Sequence, residues 1–456
     1  MLKKNDVLDI EITDITNLGF GVGRSEGLVV FVSGAVPGDT ATVKVIKANK
    51  SFAVARTEKI LKSSAHRCDT NCSYKSCKSC AYKELFYTYE LSLKENIIKS
   101  AFLSEGLVDV KIKGIVASPK TSEYRNKAQY PISKTKDGEY VIGFYAPKSH
   151  RVTEAAACPL APAVFGEINE ELRNFFKKHA YTVYDEESGK GLLRHIYLRS
   201  GEISGEILLV LVINGNFLPE SEKLVELITK RFPSVVGILI NENKENTNVI
   251  LGEKYSLLYG RDYIKDTLSG VELKITAPSF YQVNHGAAEL LYKKARELAS
   301  LKKTDTLLDL FCGTGSIGLS MAEDAGELIG IEIVPSAVEC AKENAERAGL
   351  TNAKFFAGDA TETEKLLSGA EKELGKKIKP DVIVLDPPRA GCDERLVEFT
   401  SRLSPERIVY ISCNPTTLAR DVKRFSKNGY FCNEVYGFDL FPHTGHVESV
   451  VCLTRK

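Results

Sequence analysis

The 456-residue chain is predicted to be an α/β protein whose last third forms a Rossmann-like, doubly wound domain, preceded by a small β-barrel and a central α+β region. Three observations predict this. Strand and helix alternate strictly through the last third, the first 60 residues read as short glycine-punctuated strands, and the stretch between them mixes both periods. At roughly 100–200 residues per domain, the length accommodates about three domains. The boundaries fall at 1–60, 61–275 and 276–456.

In the first region, Val7-Leu8-Asp9-Ile10-Glu11-Ile12 and Thr42-Val43-Lys44-Val45 alternate, and Gly19, Gly21, Gly23, Gly27, Gly34 and Pro37-Gly38 interrupt them. Small five-stranded, OB-like barrels of this kind commonly bind oligonucleotides. A helical period follows from about Lys83 to Leu103, stopping at Gly106. The central region carries strand-like runs at 192–198, 207–213, 235–240 and 271–275, with helices near 162–179 and 219–231. In the last third, strands at 306–311, 328–333, 354–357, 382–385 and 408–411 alternate with helices from Ser316, at 336–348, 393–402 and 415–426. Two strands near 431–438 and 447–453 close the chain. Such an order implies a parallel sheet with helices on both faces.

Composition excludes several classes. With 43% hydrophobic and 27% charged residues, neither global disorder nor a collagen-like chain is expected. The longest apolar run, Ile207 to Ile213, falls well short of the roughly 20 residues that span a bilayer. The first residues lack the pattern of a signal peptide, so the expected location is cytoplasmic, with no membrane partner. The net charge of +1 is uninformative, but residues 44–99 hold twelve Lys and Arg against five Asp and Glu. That excess suits either an RNA backbone or a solvated face. Nothing in the sequence implies a protein partner.

The chemistry concentrates at strand ends. Leu308-Asp309-Leu310-Phe311-Cys312-Gly313-Thr314-Gly315-Ser316-Ile317-Gly318 is a glycine turn joining strand to helix, and Glu332 ends the following strand. Glycines permit close backbone approach to a nucleotide, and the carboxylate can accept from ribose hydroxyls. This alone does not separate a dinucleotide from S-adenosylmethionine. Asp386-Pro387-Pro388-Arg389, at the carboxyl end of the fourth strand, faces the crevice where open sheets bind ligands and favours a methyltransferase acting on a base. Cys413, in Ile411-Ser412-Cys413-Asn414-Pro415, sits at a strand-to-helix turn where the helix N-terminus is expected to favour thiolate. Glu448, in His446-Val447-Glu448-Ser449-Val450, opens an apolar strand as a candidate base with a raised pKa. Methylating carbon 5 of uracil requires a thiolate at carbon 6 and a second group to remove the carbon-5 proton, and one Cys and one carboxylate meet that need. Of eleven cysteines, Cys68, Cys72, Cys77 and Cys80 cluster, and their spacing suits zinc or an iron–sulfur cluster equally.

Together these motifs resemble the RNA (uracil-5-)-methyltransferase family, which includes bacterial 23S rRNA uridine methyltransferases and the tRNA thymidine-loop enzyme. Residues 19–45 resemble a TRAM domain, and Phe280-Tyr281-Gln282-Val283-Asn284 resembles the family's Gln-x-Asn segment. The resemblance implies that Gln282, Phe311, Glu332 and Asp386 bind S-adenosylmethionine within a class I methyltransferase domain, with Ser316 and the glycines 313 and 315 beside it. It makes Cys413 the nucleophile and Glu448 the base. It further implies a [4Fe-4S] cluster on Cys72, Cys77, Cys80 and the distant Cys158, with Cys68 as an alternative first ligand. The expected substrate is a flipped-out uridine in structured RNA, 23S rRNA above tRNA. A non-catalytic RNA-binding protein is the reading from another class.

Overall fold

The structure is a computed structural model that describes every residue except 1, 71, 75, 76, 148, 361, 363, 364 and 456. Strands β1 (Val7–Ile15), β2 (Phe20–Ser25), β3 (Leu28–Ser33), β4 (Thr40–Ala48) and β5 (Phe52–Lys62) close into a barrel in the order β1-β2-β3-β5-β4. Alternation builds it, because Ile10, Ile12, Val30, Val32, Val43 and Val45 fill the interior while their neighbours face outward. The buried carboxylate of Asp39 accepts from the N–H of Val36 and Ser64 at 2.8 and 2.9 Å and from Arg67 at 2.6 Å. It thereby ties the barrel to the cysteine-rich segment.

Helix α1 (Tyr87–Ser104) and strand β6 (Lys111–Val116) follow. The central sheet contains β7 (Lys127–Lys134), β8 (Tyr140–Tyr145), β9 (Val152–Glu154), β10 (Leu193–Ser200), β11 (Ile207–Ile213), β12 (Val235–Glu242) and β13 (Lys254–Gly260), ordered β13-β12-β11-β10-β7-β8-β9. Strand β11 is buried along its whole length, which explains its uninterrupted apolar run. Helices α2 (Ala163–Lys178) and α3 (Ser221–Arg231) cover one face through Phe165, Leu172, Leu224 and Ile228. The hairpin β14 (Tyr263–Leu268) and β15 (Val271–Thr276) covers the other, packing on Tyr197, Leu208 and Val210.

The last third comprises α4 (His285–Ala299), β16 (Thr306–Leu310), α5 (Ser316–Ala322), β17 (Glu327–Glu332), α6 (Pro335–Arg347), β18 (Ala353–Ala357) and α7 (Ser368–Leu374). It continues with β19 (Val382–Leu385), α8 (Glu394–Arg402), β20 (Arg407–Ser412), α9 (Pro415–Lys427), β21 (Tyr430–Phe438) and β22 (Glu448–Arg455). Its sheet runs β18-β17-β16-β19-β20-β22-β21-β6. The first five strands are parallel as expected, but β22 is antiparallel to β20, because a tight return from β21 brings the chain back beside it. The strand order reverses between β16 and β19, which opens the crevice used by ligands in such sheets.

One expectation is corrected. Residues 61–275 do not form one body, because β6 pairs with β21 and extends the C-terminal sheet. Helix α1 joins it there, burying Ile98, Ala101 and Phe102 with Phe425 of α9 and Val435 of β21. Among the described residues, no helix is long and apolar enough to cross a membrane.

Candidate active site

The register of the C-terminal sheet brings the singled-out residues to one end. Leu310 is level with Ile331 and with Leu385, so Phe311, Glu332 and Asp386 all emerge at the carboxyl ends of β16, β17 and β19. Ser412 is level with Ser449 across the antiparallel pair, which sets Cys413 and Glu448 side by side. Strands alone thus assemble most of the site.

At the glycine turn, Phe311 takes a left-handed backbone with φ 66°. Gly315, at φ 83°, packs so closely on Phe355 and Leu319 that a Cβ would stand 3.0 Å from the Phe355 ring. Glu332 accepts from the N–H of Gly313 in the turn at 3.1 Å with one oxygen and from Val334 N–H in its own loop at 3.0 Å with the other, which fixes the carboxylate's orientation. Asp309 accepts from Gly318 N–H at 3.0 Å with one oxygen while the other is buried without a partner, and desolvation pushes its carboxyl up to about 8. Burial likewise raises Asp386 to about 7. A pocket of carboxyls short of positive charge beside a glycine cradle suits a cationic, ribose-bearing ligand. Ser316 Oγ lies 2.9 Å from Tyr292 Oη, and the Tyr292 hydroxyl also interacts with Gln282 and senses Asp386. Tyr292, on α4, escaped sequence reading because nothing local marks it; the packing of α4 on α5 places it.

Glu448 is 6% exposed, and burial, with Asp386 adding, raises its pKa to about 8. Burial, together with Glu448 and Asp386, pushes the Cys413 thiol up to about 11. Burial above all, and the two carboxyls after it, oppose the thiolate that the helix N-terminus is expected to favour. Arg389 lowers both groups, a role sequence reading had not given it.

Residues 439–447, which lead into Glu448, form a junction. Lys94 of α1, wholly buried, donates to Glu90 at 2.6 Å, to Asp439 at 2.7 Å and to the Phe441 carbonyl at 3.1 Å. His443 N–H donates to Glu90 at 2.8 Å, and the His443 carbonyl accepts from Tyr82 N–H at 2.9 Å. Tyr124 Oη donates to the Pro442 carbonyl at 3.0 Å, Asn284 Nδ2 to the Leu440 carbonyl at 3.1 Å, and Gly445 abuts Asn17 of the barrel.

Among the cysteines, burial raises Cys80 to about 12, with Cys158, Cys77 and Cys72 adding to the shift. For Cys68 the charges that add to burial are Asp69 and Glu84. Among the described residues, however, no three His, Cys, Asp or Glu side chains stand close enough to hold a metal, and all eleven cysteines are free thiols. Of the basic residues counted between 44 and 99, Lys75 lies outside the described residues.

A glycine turn, a carboxylate ending the next strand and another at the switch point form a nucleoside-binding crevice of the kind that takes S-adenosylmethionine or a dinucleotide. Comparison with known proteins specifies it further. Residues 86–456 match the family described as tRNA (Uracil-5-)-methyltransferase, and residues 2–57 match the TRAM domain. An uncharacterized RNA methyltransferase of Bacillus cereus is 39% identical over 456 residues, covering 100% of this chain and 98% of that protein. One from Clostridium tetani is 37% identical, covering 99% and 97%. The crystal structure of Pyrococcus abyssi tRNA (uracil-54, C5)-methyltransferase in complex with S-adenosyl-L-homocysteine matches with TM-score 0.79 at 29% identity, covering 98% of this chain and 100% of that one. The chain belongs to the RNA uracil-5-methyltransferase family and begins with a TRAM domain.

Proposed function

We propose that this enzyme methylates carbon 5 of a uridine in 23S rRNA, with Cys413 as nucleophile and Glu448 as base. The supporting observation is the level pairing of Ser412 with Ser449, which sets thiol and carboxyl side by side next to Asp386. The uridine must leave its stack to reach them. Cys413 sulfur adds to carbon 6, making carbon 5 an enolate carbon. Gln282, Phe311, Gly313, Gly315, Ser316, Glu332 and Asp386 would hold S-adenosylmethionine, which would supply the methyl group. Glu448 then takes the carbon-5 proton, and re-forming the 5,6 double bond expels the Cys413 thiolate. Glu448 is suited to this because burial makes its carboxylate a stronger base than one in water.

The cytoplasm is the proposed location. Cys72, Cys77, Cys80 and Cys158 are proposed to hold a [4Fe-4S] cluster in a structural role, since methyl transfer consumes no electrons. The reading rests on the resemblance of the four cysteines to the family's ligand set, since the described side chains are not gathered closely enough to hold a metal. Iron and labile sulfide in anaerobically purified protein test it, and zinc without sulfide refutes it. The preference for 23S rRNA rests on a TRAM barrel accompanied by this cysteine set. The likeness to the Pyrococcus abyssi enzyme favours tRNA as a second reading.

One experiment separates these readings. Labelled methyl transfer to unmodified 23S rRNA and to unmodified tRNA is measured with wild type, Cys413→Ser and Glu448→Gln. Label in 23S rRNA is expected, absent with Cys413→Ser, while Glu448→Gln accumulates a covalent protein–RNA complex because proton removal stalls. Label only in tRNA moves the substrate. No label in either refutes the enzyme reading.

A further inference from the structure

Two cations face each other in the central sheet with no acid between them. Arg199 of β10 and Lys127 of β7 are register partners. Residues directly opposed in an antiparallel pair project to the same face, with Cβ atoms about 4.5–5.5 Å apart, and like charges so placed repel. Arg199 is 0% exposed, and its Nη1 donates to the Thr276 carbonyl at 2.7 Å. Its Nε and Nη2 are buried without a partner. A guanidinium carries five N–H donors and cannot shed its proton, so this is a costly arrangement.

The groups that face Arg199 are Tyr197, Tyr281 and Tyr255, and the charge that faces half-buried Lys127 is Arg199 itself. Burial and that neighbour hold the Lys127 ammonium down to about 8. Asp266, the acid behind Tyr281, is committed to the Tyr281 hydroxyl at 2.9 Å and to the N–H of Glu202 and Ile203 at 2.9 and 2.8 Å. The pair therefore lacks an anion that the described residues do not provide.

Its place in the fold says which anion. Thr276, whose carbonyl Arg199 holds, begins the stretch that crosses this face to Phe280, 64% exposed, and to Gln282. Asn126, next to Lys127, donates to the Gln282 carbonyl at 2.8 Å. This puts the cationic corner one residue from a contact with the stretch that carries Gln282. We infer that Lys127, with Arg199 fixed beneath it, is a phosphate-binding site for the RNA backbone flanking the target uridine. Lys127 reaches the phosphate, and Arg199 supplies a permanent charge that cannot swing away. The inference rests on RNA being the substrate.

The test uses the full chain, Lys127→Gln and Lys127→Arg, with an RNA transcript carrying the target uridine. Dissociation constants are measured from low to moderate salt, methyl transfer on the same RNA in parallel, and melting temperatures with and without inorganic phosphate. Lys127→Gln is expected to weaken RNA binding and raise KM about three- to tenfold with kcat unchanged, and to reduce the slope of log K against log salt by about 1. Lys127→Arg restores both. Lys127→Gln also melts no lower than wild type without RNA, since it removes a repulsion. Unchanged RNA affinity and slope in Lys127→Gln overturn the inference even while wild type methylates normally. Phosphate that raises wild-type but not Lys127→Gln melting, with RNA binding unaffected, assigns the corner to a free anion and overturns it too. Absence of methyl transfer by wild type refutes the proposed function alone, because the salt slope still reads the phosphate site.

Discussion

Burial raises both groups proposed to react, Cys413 to about 11 and Glu448 to about 8, and the proposed mechanism uses each in its deprotonated form. Methyl transfer under saturating RNA is therefore expected to rise with pH through about 8. Arg389→Gln removes the cation that favours both anions, so the rising limb moves to higher pH, as a pH–rate profile shows. The same carboxyls govern stability. Asp309, Asp386 and Glu448 are raised to about 8, 7 and 8, so their protonated forms stabilise the fold fully below the unfolded values near pH 4. That contribution is lost progressively as pH rises from about 4 and is gone above about 8, so ligand-free melting temperature falls across this span and Asp386→Asn flattens the fall. Cys413, Glu448, Asp386 and Glu332 were legible because each sits in a short motif at a strand end. Tyr292 and Asp309 were not recognised, because their roles arise from which helix packs over the turn and which carboxylate is left dry.

At the scale of elements, alternation made the parallel core readable, and β19 lies where the pattern put it. Helix α4 carried an N-cap, Asn284 accepting from Ala287 N–H at 3.2 Å, that sequence reading passed over. The pairing of β6 with β21 was illegible, since partners that far apart in sequence leave no local periodicity. Packing between neighbours is exacting here. A Cβ on Gly330 of β17 would overlap the Phe355 ring of β18, the ring that also seats Gly315. Gly330→Ala is expected to cost about 1–3 kcal/mol through overpacking and to weaken S-adenosylmethionine binding through the displaced turn, measured by urea unfolding and calorimetry.

For the whole molecule, the junction at 439–447 matters most. Lys94 neutralises Glu90 and Asp439 in a dry interior. Lys94→Met leaves two carboxylates there without a cation and is expected to lower unfolding free energy by about 3–5 kcal/mol. Adding Glu90→Gln recovers part of the loss, which a double-variant denaturation cycle reads.

That junction also has a temporal side. The Lys94–Asp439 bond joins residues 345 positions apart, and the bond from His443 to Glu90 spans 353. Contacts of such separation form late, and chains fold from the N-terminus as they are made. The barrel is therefore complete long before the stretch that seats Glu448 has been synthesised. During its own translation the protein passes through a period with its barrel made and its candidate site incomplete, and that site is assembled only when the end of the chain returns to a helix made near the beginning.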